Sequence, residues 1–200
     1  MRFDRGAIND FHPRIRQEGV SLNPLVELDS LTRLFPDGLP LTAHVEHIPS
    51  ALTPEPYKSL LVHDKHMTVT MESYHGCSVD VRVLEERLDG DDYCRKILLL
   101  KSGTQTVVQF GIVRLHLHFV SPAVRDEILA GNIPLGRVLI KHDVLRQIDL
   151  GAILKISPGP QMVEHFHCQP GEITYGRLAT IFCDQRPAID LLEVSAPLPV

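Results

Sequence analysis

The sequence predicts an α+β protein, an antiparallel sheet of about six strands covered by helices on one face. Three observations carry that expectation. The apolar period changes from 3.6 to 2 after the segment EPYKSLLVH. The period-2 segments then follow one another across short turns, the order of consecutive hairpins. Segments of helical spacing stand before, between and outside them. At 200 residues and 44% hydrophobic content the chain can bury a real core as one domain. Residues 1–55 read as an extension packed on a domain of residues 56–200.

The elements follow in order. Residues 1–20 are polar and irregular, and LNPLVELDSLTRLF (22–35) has helical spacing that stops at the breaker PDGLP. PSALTPEP (49–56) is a Pro-rich connector, and a short helix is expected over EPYKSLLVH (55–63). HMTVTMESY sets Met67, Val69 and Met71 opposite Thr68, Thr70 and Glu72, and CSVDVRVLEERL alternates through Val79, Val81 and Val83. With YHGC between them, these two segments read as a hairpin. DYCRKILLLK and TQTVVQFGIVRLHLHFV form a second hairpin joined at Ser102-Gly103. In SPAVRDEILAGN, Ser121 is the expected N-cap, Pro122 the first helical residue and Gly131 the terminator. Residues 137–170 stay ambiguous, with a strand-like LGAILKIS and a loop at SPGPQ. ITYGRLATIFC, a turn at DQRP and AIDLLEVSAP return the chain to strands.

Bulk properties exclude several classes. A net charge of −5 argues against a general nucleic-acid binder. No stretch approaches the roughly 18 apolar residues of a membrane helix, and the N-terminus lacks the apolar core of a signal peptide. Cys77, Cys94, Cys168 and Cys183 are scattered, so free thiols in the cytoplasm are expected. There is no internal repeat and no phosphate-binding glycine loop, nucleophile elbow or HExxH helix.

Five features could carry chemistry. In DYCRKILLL, Arg95, Ile97 and Leu99 share one face of a strand while Lys96, Leu98 and Leu100 share the other. One cation is therefore drawn toward apolar surroundings, where it must snorkel, find a carboxylate or await one on a ligand. His116 with His118, and His165 with His167, would stand about 7 Å apart on strand faces and could chelate zinc only if a third ligand converged. His63, Asp64 and His66 cluster at a corner, where polar residues are expected in any case. GNIPLGRVL (131–139) reads as a terminator and turn, with Gly136 free to take positive φ, or as a bend presenting a backbone N–H to a pocket. Glu193, inside LLEVSAP, is either on the solvent face or held in a low-polarity pocket as a proton-transferring group.

Taken in order, LLVHDKHMT (60–68), YCRKILLL (93–100), IPLGRVL (133–139) and YGRLATIF…PAIDLLEVSAP (175–197) resemble the chorismate pyruvate-lyase family, more closely its divergent chorismate-lyase-like branch of similar length. The resemblance implies an antiparallel sheet with packed helices and a reaction without cofactor or metal. Chorismate loses pyruvate and leaves 4-hydroxybenzoate. Matched position by position, Arg95 grips the ring carboxylate, Met67 and Leu135 hold it through backbone N–H groups, and Glu193 meets the hydroxyl end. Arg177 matches an arginine that supports the site or binds a substrate carboxylate. Arg95 and Glu193 are thus the expected catalytic pair. The expected partners are the small-molecule substrate and product, with no nucleic acid and no membrane. The stretch HDKH before Met67 departs from the better-known lyases, which leaves open another hydroxy- or aminobenzoate product. A second expectation, from another class, is a non-catalytic domain of the same fold that senses a small aromatic acid.

Overall fold

In the computed structural model, residues 23–36 and 38–199 are described. The expectations for residues 1–20, and Asp37 within the PDGLP breaker, lie outside them. The strands are β1 (Thr42–Ile48), β2 (Val79–Asp89), β3 (Asp92–Lys101), β4 (Val107–His116), β5 (Arg146–Pro158), β6 (Thr174–Cys183) and β7 (Arg186–Ser195). They form one sheet in the order β1-β5-β6-β7-β4-β3-β2, with every neighbouring pair antiparallel. The helices are α1 (Pro24–Thr32), α2 (Tyr57–Leu61), α3 (Met67–His75), α4 (Pro122–Leu129), α5 (Leu135–Lys141) and α6 (Pro160–Phe166).

The hairpins β3–β4 and β6–β7 form where the alternation placed them. The second turns on Asp184 and Gln185, both at positive φ, as a type I′ hairpin turn requires. Helix α4 starts at Ser121, whose hydroxyl accepts from Val124 N at 3.4 Å. Its chain leaves at Gly131 with φ 68°.

Other segments differ from expectation. HMTVTMESY is a helix, not a strand. Met67 and Met71 satisfy alternation and i,i+4 spacing equally, and Gly76, read as a hairpin turn, is an αL helix terminus. The sheet nevertheless has seven strands, because the polar segment TAHVEHI forms an edge: β1 is mostly exposed along its length and, among the described residues, pairs only with β5. Gly136 lies inside α5 without positive φ. His118 sits in a short 3₁₀ turn beyond β4, while His165 is in α6 and His167 follows it in the αL conformation, so neither histidine pair occupies a strand face.

The expected helical cover on one face is supplied by α2 to α5, and α1 and α6 cover the opposite face as well. Leu28, Leu31 and Met162 pack there on Leu98, Phe110, Leu178 and Leu192. On the first face α2 and α3 pack against Ile97, Leu99 and Ile153, while α4 and α5 pack against Val113, Leu115, Ile181 and Leu191. These two apolar groups meet over β4, and the seam between them is where the candidate site lies.

Candidate functional site

The sheet register builds the site. On β4, Gly111 lies between Ile97 of β3 and Glu193 of β7, and Val113, two residues on, pairs with Arg95. A Cβ at Gly111 would come within 3.2 Å of Ile97 Cγ1, so its hydrogen keeps the floor low. Above it opens a cavity of about 40 Å³. That holds about three waters. Met67, Arg95, Leu135 and Glu193, which come from four separate elements, all line it. Arg177 is not among the lining residues. It stands behind Glu193 on β6, directly opposite it in the register.

The two neighbouring cations of β3 meet different fates. Lys96 points to the α1 face, where Glu85 is 3.3 Å away and the Phe35 ring lies under its ammonium. Arg95 points into the cavity and is 1% exposed. Its Nε and Nη1 are buried with no hydrogen-bond partner among the described residues. Burial draws the guanidinium below its ordinary value, opposed by Tyr93 and by Glu86, to which the Tyr93 hydroxyl donates at 2.7 Å.

Arg177 is equally buried but fully engaged. Its Nε donates to Glu193 Oε2 at 2.7 Å, Nη1 to the His63 carbonyl at 3.0 Å and Nη2 to the Lys65 carbonyl at 3.1 Å. One side chain thus fixes the floor carboxylate and the loop leading to α3. Glu193 occupies the enclosed position, not the solvent face, with its side chain 12% exposed.

Met67 and Leu135 each open a helix, so their backbone N–H groups have no acceptor within it. The two helices approach closely at Gly136, where a Cβ would meet His66 Cβ at 3.1 Å and Thr68 Oγ1 at 3.2 Å. Here glycine is favoured by contact, not by conformation.

At the HDKH corner three ring nitrogens are engaged within the protein. His63 uses Nε2 on the Leu60 carbonyl at 2.7 Å and Nδ1 to accept from Lys65 N at 3.1 Å. His66, 8% exposed, accepts on Nε2 from Arg146 Nε at 2.5 Å. Among the described residues no group of three or more His, Cys, Asp or Glu is placed to hold a metal ion. His66 is held neutral, its pKa lowered to about 4 by burial first and then by Arg146 and Arg177. The unfolded chain therefore takes up a proton below the ordinary value of 6.5 while the folded chain does not. Stability is expected to fall as pH drops from about 6.5 toward 4, His66 contributing ~2 kcal/mol at about pH 4.5. Urea unfolding at about pH 7 and 4.5 checks this, and a His66→Gln variant should lose correspondingly less.

Among the polar residues that line the cavity, the expectations above overlook Gln109. Its only signal is the break it makes in the apolar run VVQFGIV.

No family model and no curated protein matches this sequence. Among solved structures, the effector domain of PhnF from Mycobacterium smegmatis is similar over 66% of this chain and 88% of its own, with 10% identity and a TM-score of 0.48. A GntR-family transcriptional regulator from Bacillus cereus is similar over 60% of this chain and 92% of its own, with 11% identity and a TM-score of 0.43. Likeness at this distance carries no inference about ligand or activity. Among the described residues no helix is long and apolar enough to cross a membrane.

Proposed function

We propose that this chain binds a small aromatic carboxylic acid in the cavity between α3, α5 and the sheet, and releases it unchanged. One observation carries the reading: a guanidinium 1% exposed, aimed into a cavity, with two nitrogens unpartnered. A buried charge with unmet hydrogen bonds is costly to a fold, and the planar fork of arginine matches a carboxylate in a bidentate manner. The opening N–H groups of α3 and α5 border the same space and favour the same charge. The apolar remainder, Ile97, Leu99, Val113 and Leu191, suits the faces of a ring. An aromatic acid has more heavy atoms than the three or so waters the cavity holds. Binding therefore moves α3 or α5 outward.

Release of the acid unchanged is supported by the contact between Arg177 and Glu193, which takes up Oε2 and leaves a single carboxylate oxygen to face a substrate. A second reading is chorismate lyase activity, favoured by Arg95 and Glu193 lining one cavity. Elimination of pyruvate makes the ring aromatic, so the substrate supplies the driving force and the protein needs to orient it and exclude water. Calorimetric titration with 4-hydroxybenzoate, beside incubation with chorismate and assay of pyruvate, tests both. Binding without pyruvate is the expected result. Pyruvate release would establish the lyase, and neither binding nor release would remove both readings.

A further inference from the structure

The end of the cavity remote from Arg95 holds one polar group without a partner. Gln109 stands on β4 two residues from Gly111, paired with Leu99 of β3 and Ser195 of β7. It is 2% exposed, lines the same cavity as Arg95, and its Oε1 is buried with no hydrogen-bond partner among the described residues. The nearby lining is apolar, Val81, Ile97 and Leu99. Ser195 offers no donor, since its hydroxyl donates to the Ala196 carbonyl at 2.9 Å. A buried amide oxygen facing only hydrocarbon is costly, and folded chains keep few of them.

The geometry points to Gln109 as the residue that reads the far end of the ligand. The pocket takes an aromatic acid carrying an O–H or N–H donor on the side of the ring remote from its carboxylate, and Gln109 Oε1 accepts from that donor. This rests on the carboxylate-binding reading above and adds the chemistry of the second substituent. The register supports it. Arg95 faces Val113, four residues from Gln109, so their backbones are ~13 Å apart and the reach of the arginine side chain shortens the gap between the heads. A donor adjacent to the carboxylate stays beside Arg95, while one across the ring is directed along β4 toward Gln109. Glu193 lies between the two, with one oxygen already taken by Arg177.

The test compares 4-hydroxybenzoate and 4-aminobenzoate with 4-fluorobenzoate, which has a substituent of similar size and no donor. Wild type is expected to bind the first two about tenfold more tightly than the third. In Gln109→Met that ratio should fall to about one, and in Gln109→Glu, which keeps an acceptor, it should persist; melting curves check that each variant folds. A ratio near one in wild type overturns the assignment with no variant needed, as does a ratio retained in Gln109→Met. Binding of all three acids without discrimination sinks only the role of Gln109. Failure of wild type to bind any of them sinks the carboxylate site and this assignment with it.

Discussion

An Arg95→Met variant is expected to melt several degrees above wild type and to bind aromatic acids at least a hundredfold more weakly. The two effects have one cause. Wild type holds a charge at 1% exposure whose Nε and Nη1 find no partner among the described residues, a state that Tyr93 and Glu86 offset only in part and that an anion would complete. Methionine fills much of the same volume and asks for nothing polar. Exchanging whole buried ion pairs for apolar groups of similar size often stabilises by about 1–4 kcal/mol. Among the described residues Arg95 has no ion-pair partner to strand, so its exchange should act in the same direction, and each kcal/mol moves the melting point of a chain this long by about 2–4 °C. The same exchange deletes two charge-assisted hydrogen bonds to a carboxylate, each contributing ~1.5–3 kcal/mol. Differential scanning calorimetry with and without 4-hydroxybenzoate separates the terms. Wild type should gain stability with ligand, and the variant should start higher and gain none. A variant that melts below wild type would mean that the guanidinium is already satisfied within the protein, and the site would lose its main support. The expected trade is the usual one between a functional group and the fold that carries it.

How much of this was legible in the sequence depends on which residues one asks about. The strand DYCRKILLLK was plain, and so was the conflict it contains, because alternation must send Arg95 and Lys96 to opposite faces and both faces of a central strand are covered. Alternation could not say which cation has a carboxylate waiting. That depends on Glu85 of β2, a neighbour supplied by register and not by local pattern. The segment Met67–His75 misled for a related reason. Its buried residues are Met67, Thr68 and Met71, and two methionines four apart fit a strand face and a helix face equally. Only packing against α2 and α5 decides between them, so tertiary contact overrode a local pattern of weak preference. The resemblance to chorismate lyases marked Met67, Arg95, Leu135 and Glu193, and these do share one cavity. Gln109 escaped notice because a lone glutamine in an apolar strand is ordinary on an exposed face. Its meaning appears only once that face proves to be closed.

Arg177 makes the opposite case to Arg95 with the same side chain and the same 1% exposure. An Arg177→Met variant is expected to lose about 3–5 kcal/mol, the usual result of removing one member of a buried ion pair. The loss has two parts. Glu193 keeps a carboxylate in an enclosed position with its partner gone, and the carbonyls of His63 and Lys65 lose their donors. Freed of that anchor, the loop entering α3 no longer holds Met67 over the cavity, so affinity for an acid should fall with stability. Glu193→Gln should be far milder, since the amide oxygen still accepts from Nε and both carbonyl bonds survive. Replacing both partners, Arg177→Met with Glu193→Leu, should recover part of the stability lost by the first change alone, because no charge is then left buried without its partner. Urea unfolding of wild type, Arg177→Met, Glu193→Leu and the double variant gives the coupling. If Arg177→Met unfolds at the wild-type midpoint, the 2.7 Å contact with Glu193 holds neither the floor of the cavity nor its entrance loop. Two arginines on one sheet face would then be equivalent in energy, and the contrast that marks Arg95 as the ligand's residue would disappear.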